Sequence, residues 1–266
     1  YRYGGDVIAF AGDALICLFV NNPFGTNSEK NQDGFTCVKI DPDPYLNVDC
    51  HIRAMECAME LRAFCTTSLS THIAVTSGEM KLAVLGGRNN EWIYLLNGKP
   101  VAQLECLTDA GSKQVVCTPS CLVSAKAALM EMGLSVDSHL TTHECSSGNY
   151  LLDYLYTGVH PSKDSNRVNR LTNAHSEHAI KLTKQFVPKP VLFAIESGSL
   201  DRIAELRQVV TMFVSLDSYS PEVHMDPLTL QPFFALVQES LQYTGGYMRQ
   251  FVIDDKGCVS IGMWGV

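Results

Sequence analysis

Two short apolar runs, Asp6–Ala11 (DVIAFA) and Ala14–Val20 (ALICLFV), are separated only by Gly12-Asp13. Apolar β-rich runs joined by two residues of this kind form a β-hairpin, because Gly and Asp tolerate the backbone twist that a tight turn demands. This pattern constrains the chain more than any other, since it returns near the far end. Tyr3-Gly4-Gly5-Asp6-Val7-Ile8-Ala9-Phe10 aligns with Thr244-Gly245-Gly246-Tyr247-Met248-Arg249-Gln250-Phe251, Gly-Gly and Phe in phase. Tyr247–Ile253 and Cys258–Trp264 then read as a second hairpin around Asp254-Asp255-Lys256-Gly257. A strand (Gln208–Leu216) and a helix (Pro232–Tyr243) precede the second copy, whereas the first stands at the start of the chain. The reading is a tandem of two βαβ-type domains. Both ends read as cut, the chain starting on Tyr1 and stopping on Val266 inside an apolar stretch.

Between the hairpins, residues 21–50 are rich in Asn, Asp, Pro and Gly and read as a loop. His51–Cys65 and Ser120–Met132 read as helices, the latter opened by Pro119. Strands are expected at His72–Thr76, Lys81–Leu85, Trp92–Leu96, Gln114–Cys117 and Leu151–Tyr156, with a helix at Gly98–Asp109. Residues 157–190 lose apolar periodicity and read as a linker, and a helix is expected at Val191–Arg207. The expected domains are 1–157, a linker over 158–206, and the start of a second domain over 207–266.

Composition narrows the function classes. A net charge of −8 without a Lys/Arg cluster argues against a nucleic-acid partner. The longest apolar run, Ala14–Val20, is far below the ~20 residues that span a bilayer, so no transmembrane segment is expected. The ten cysteines are scattered without repeated spacing, which reads as reduced thiols of a cytoplasmic protein.

The segment Gly4-Gly5-Asp6-Val7-Ile8-Ala9-Phe10-Ala11-Gly12-Asp13-Ala14-Leu15 resembles the hairpin motif of class III nucleotide cyclases, and is most similar to that of soluble adenylyl cyclases with two tandem cyclase domains. Ala54-Met55-Glu56-Cys57-Ala58, His72-Ile73-Ala74-Val75-Thr76-Ser77-Gly78 and Leu96-Asn97-Gly98-Lys99-Pro100-Val101 follow in the order that family expects. Glu205–Val214 resembles the start of the second cyclase domain, and Asp255-Lys256-Gly257-Cys258 its hairpin turn. The resemblance implies an α+β fold of the ferredoxin-like cyclase type, a mainly antiparallel sheet with helices, with two such domains pairing pseudo-symmetrically within one chain. A rival, the Gly-Gly-Asp-Glu-Phe signature of diguanylate cyclases, resembles Gly4-Gly5-Asp6. Val7 replaces its Glu, and that register would strand Gly12-Asp13 inside a strand.

The resemblance implies an adenylate cyclase, a lyase of intracellular signal transduction that converts ATP to cyclic AMP and pyrophosphate. The ribose 3′-hydroxyl attacks the α-phosphate, assisted by two Mg²⁺ or Mn²⁺ ions. Asp13 is the implied catalytic and metal-binding carboxylate, and a second aspartate is expected upstream of Tyr1. Ala11, Gly12 and His72 are implied beside the phosphates, and Gln250 and Ile253 at the base. Several positions depart from the family pattern: Ala9 and Gln250 replace Lys, Glu105 replaces Arg, and Ser215 stands where a metal-binding domain would have Asp. A non-catalytic, nucleotide-binding or regulatory cyclase-like module is therefore the alternative. By itself this stretch, with one metal carboxylate, is expected not to cyclise ATP. His139-x3-His143-x-Cys145 and His175-x2-His178 lack a fourth zinc ligand at convincing spacing, Cys117-x3-Cys121 reads as core thiols, and Gly86-Gly87 is not a phosphate loop.

Overall fold

A computed structural model of the chain describes residues 2–11, 14–21, 44–64, 70–161, 177–199, 207–220, 223–224, 226–254 and 257–265. The fold is mixed α+β, with sheets that are mainly antiparallel, and the chain forms two compact units that interleave in sequence. Tyr1–Gly78 with Gln103–Ala174 make the first, and Glu79–Ala102 with His175–Val266 the second.

In the first unit, β1 (Asp6–Ala11) and β2 (Ala14–Leu18) form an antiparallel hairpin, as the sequence leads one to expect. Helix α1 (Cys50–Ala63) starts at Asp49, whose carboxylate accepts from the His51 backbone N–H. Strands β3 (Ile73–Val75), β6 (Val115–Cys117), β7 (Leu140–Glu144) and β8 (Tyr150–Leu155) form one sheet in the order β3-β6-β8-β7. Only the β3–β6 pair is parallel. Helix α2 (Pro119–Glu131) has Pro in its first turn, where the missing N–H is harmless. Ile52, Met55 and Ala58 of α1 and Cys121, Leu122, Ala125 and Leu129 of α2 share a core with Val75, Val115, Leu140, Leu152 and Leu155 of the sheet. Strand β7 was not expected: only Leu140 of its five residues is buried, so it carries almost no apolar alternation.

The second unit contains the hairpin β4 (Met80–Gly86) and β5 (Trp92–Gly98) and the antiparallel sheet β10-β11-β9. Its strands are β9 (Val210–Ser215), β10 (Tyr247–Asp254) and β11 (Gly257–Trp264). Helices α3 (Glu177–Lys184), α4 (Lys189–Glu196) and α5 (Gln231–Tyr243) complete it. Phe234 of α5 is fully buried among Ala83, Leu85, Leu95, Ile253 and Cys258.

The hairpin β4–β5 falls in the stretch expected for the first domain, yet it packs on α5, through Phe234 and through side-chain hydrogen bonds. The Gln231 amide both accepts from the Gly86 N–H (3.0 Å) and donates to the Gly86 carbonyl (2.8 Å). Gln238 donates to the Glu91 carbonyl (2.9 Å) and accepts from the Arg88 N–H (3.2 Å), and the Gln242 side chain accepts from Asn89 (2.6 Å). These glutamines lie along one side of α5, and Gln231 and Gln238 satisfy the backbone around the turn that Gly86 and Gly87 make with φ of 104° and 94°. The chain thus crosses from one unit to the other between β3 and β4, and back where the expected helix 98–109 divides into a single turn, Lys99–Ala102, and the 3-10 segment Gln103–Asp109. Within the expected linker, α3 and α4 are helical, and Gly198 at φ 67° follows the end of α4. Residues 162–176 and 200–206 of that linker lie outside the described residues.

Candidate functional site

The site the sequence points to is the first hairpin, and its repeat can now be compared with it residue by residue. In β1, Val7 pairs with Cys17 and Ala9 with Ile16, so Ile8 is an extra residue, a β-bulge. In β10, Met248 pairs with Gly262 and Gln250 with Ile261, so Arg249 is the extra residue. Ile8 and Arg249 are aligned in the repeat. The first glycine of each pair is left-handed, Gly4 at φ 71° and Gly245 at φ 73°. The second cannot carry a side chain without moving a ring: a Cβ on Gly5 would lie 2.5 Å from Phe19, and one on Gly246 would lie 2.5 Å from Trp264. Turn, bulge and aromatic backing thus recur at matching positions. The arms beyond the bulge differ in length, because β1 reaches its turn at Ala11, paired with Ala14, while β10 runs on to Asp254, paired with Gly257.

The feet of the first hairpin are fixed to α1. Arg53 is fully buried, and its guanidinium donates to the carbonyls of Tyr3 (3.1 Å), Gly4 (3.1 Å), Val20 (2.7 Å) and Val48 (2.8 Å). Burial pulls its pKa down, but a guanidinium remains charged at any physiological pH. On the next turns of α1, the Glu60 carboxylate accepts from Arg2 (2.8 Å) and from the Tyr3 hydroxyl. Burial, and then that hydrogen bond, push the Tyr3 phenol well above its ordinary range. After β2, the Asn21 amide donates to Asp49 (2.7 Å) and accepts from the Cys50 N–H (2.6 Å), so it joins the hairpin to the helix start. The His51 ring nitrogen lies 2.7 Å from Asp49, and this hydrogen bond lifts the imidazole to about 10. Burial raises the Asp49 carboxyl, but hydrogen bonds from His51 and Asn21 more than reverse that and hold it at about 2.

Of the residues expected to carry the chemistry, Gly12 and Asp13 lie outside the described residues, and Ala11 is placed by its backbone as the last residue of β1. His72 is exposed immediately before β3. Gln250 and Ile253 are not brought together. Strand pairing puts Gln250 on the same sheet face as Val252, Val259, Ile261 and Phe213. Ile253 faces the other way, buried with Phe234 and Cys258 in the core of the second unit. The residue that shares Gln250's face is Val252, and simple alternation counted from Gln250 would have found it. Glu105 is exposed, and the Ser215 hydroxyl donates to Asp217.

Among the described residues, the group whose atoms could together hold a cation is Asp49, Cys50 and His51, with ligand atoms within 4.8 Å of one another. One oxygen, one sulfur and one nitrogen do not suit Mg²⁺, which demands oxygen ligands. These atoms also bond one another, and the Arg53 charge sits in the same helix turn. The group therefore does not fit the expected metal and acts as the helix cap. His139 Nδ1 bonds the Ser135 carbonyl (2.9 Å), and His143 Nδ1 bonds Asp153. The side chains of His175 and His178 lie outside the described residues. Cys117 and Cys121 are buried, and burial raises the Cys117 thiol to about 12, as suits core thiols.

No protein-family model matches the chain, and no curated protein matches it. Among the described residues, no helix is long and apolar enough to cross a membrane.

Proposed function

We propose that this chain is the hairpin-bearing part of an adenylate cyclase that forms cyclic AMP from ATP. One observation carries the reading: the two hairpins match in their left-handed glycine, their aromatic-backed glycine and their bulge, as two copies of one domain type would. A second feature agrees with it. Strands β9 and β10 both run antiparallel to β11, which lies between them, with α5 connecting them, the order that one half of a ferredoxin-like unit would have.

Under this reading the first hairpin presents Asp13 at its tip, where Mg²⁺ or Mn²⁺ would neutralise phosphate charge and lower the pKa of the ribose hydroxyl. Ala11 and Gly12 would lie beside the phosphates, with little side chain to exclude them. Gln250 carries an amide of the kind that reads a purine edge, and Val252 would be an apolar wall beside it. Pairing of the two cyclase domains, ATP as partner and a cytoplasmic site of action belong to the same reading. Full-length protein given Mn²⁺ and ATP should release cyclic AMP, and Asp13→Ala should reduce the rate by at least about a hundredfold, the scale of losing a metal-held charge at the phosphates. Product formation that survives Asp13→Ala removes the metal role.

A non-catalytic cyclase-like module is the second reading, and it is favoured by Glu105, an exposed carboxylate where the family would place an anion-binding arginine. Nucleotide binding without cyclic AMP, in wild-type protein and with either metal, would decide for it.

A further inference from the structure

Arg53 is a buried cation whose partners among the described residues are main-chain carbonyls. That is an expensive arrangement, because a desolvated guanidinium is ordinarily matched by a carboxylate. The partners explain it. Tyr3 and Gly4 lead into β1, Val20 follows β2, and Val48 leads into α1. One planar fork therefore grips both feet of the hairpin and the approach to the helix, joining segments 33 to 50 residues apart. Few other described anchors reach the hairpin: Glu60 holds residues 2 and 3 at the surface, and Asn21 holds the far foot. Among the described residues, β1 and β2 form a sheet of two strands. A grip on both feet of a two-stranded ribbon fixes the direction in which its strands leave the helix.

We infer that Arg53 is a positioning residue: its guanidinium fixes the pose of the β1–β2 hairpin on α1, and through it the place of the functional residues the hairpin carries. The inference deepens the cyclase reading and, in its last clause, rests on it. Lysine cannot replace it, because one ammonium is a point donor and cannot span three segments with a planar fork.

Hydrogen exchange of the full chain tests the grip without reference to catalysis. In Arg53→Lys, and in Arg53→Met as a second variant, amides within 6–11 and 14–18 should exchange at least about tenfold faster, while Val115–Cys117 and Tyr150–Leu155 keep their protection. Unchanged hairpin exchange in a folded variant, or an equal rise throughout the first unit, would overturn the inference. The catalytic consequence is read separately in full-length protein. Arg53→Lys should raise the Mn²⁺ concentration needed for half-maximal cyclic AMP formation several-fold, a change that mere loss of folded protein would not produce. An unmoved metal requirement alongside loosened hairpin amides would overturn the positioning role. Wild-type protein that makes no cyclic AMP would overturn the cyclase reading alone, since the exchange result stands without it.

Discussion

Phe10 in β1 and Phe251 in β10 hold the same place in the Gly-Gly pattern, yet Phe10 is 60% exposed, whereas Phe251 packs on Phe234 with ring centroids 4.5 Å apart. The difference runs the length of both hairpins. The first is a two-stranded ribbon tied at its feet by Arg53, Glu60 and Asn21. The second belongs to a three-stranded sheet and rests along its length on α5, with Gly262 admitting Leu241 at close range and Ile253 and Cys258 in the core. One local pattern is thus held by directional polar contacts in the first unit and by apolar packing in the second. Packing restrains a hairpin along its strands, while a polar grip restrains its base.

Mutations can break this contrast. Phe234→Ala should have the largest effect, about 3–5 kcal/mol, because it empties a fully buried site between β4, β10 and β11. Urea unfolding followed by hydrogen exchange should show β10 and β11 losing protection while β1 and β2 keep theirs. Equal loss in both hairpins would mean that they do not depend on separate supports. Gly5→Ala and Gly246→Ala come next, at about 1–3 kcal/mol each, since either methyl must displace an aromatic ring. The shift in urea midpoint should be larger for Gly246→Ala, because Trp264 is held within the β9–β11 pairing and Phe19 follows the end of its strand. The reverse order would show that the first hairpin is the stiffer one.

The smallest effect concerns pH at the first hairpin's foot. The His51 pKa is raised on folding, so its contribution is complete below its ordinary value of 6.5 and is lost as pH climbs through about 10. The Asp49 pKa is lowered, so the same contact holds above 3.8 and is lost as pH falls through about 2. Both groups keep some contact with solvent, which limits the term to about 1 kcal/mol or less. Urea midpoints measured between pH 6 and 10 should fall more in wild type than in His51→Gln. Parallel curves would show that the ion pair contributes nothing.

Much of the secondary structure was readable because local chemistry decides it. The Gly-Gly pairs, the tight turns and the alternating apolar runs place both hairpins, and Pro119 places the start of α2, whereas the Asp49 cap of α1 came from the structure. Strand β7 escaped because an edge strand with one buried residue has no apolar code to read. Ile253 was assigned to the base through resemblance, and strand parity places it in the core instead. The role of Arg53 is not written in the sequence, since nothing in its neighbourhood announces carbonyls arriving from residues 3, 4 and 20.

By itself, then, the sequence determined where the backbone turns and which short segments extend or coil, because glycine conformation, proline and apolar periodicity act over a few residues. Tertiary structure decided that β3 and β4 part into different units, that β4–β5 is clasped by the glutamines of α5, and that a buried arginine holds the first hairpin. Each of these depends on hydrogen-bond partners brought from 33 to about 150 residues away, and a polar group's partner, unlike its conformational preference, is not written in its neighbours.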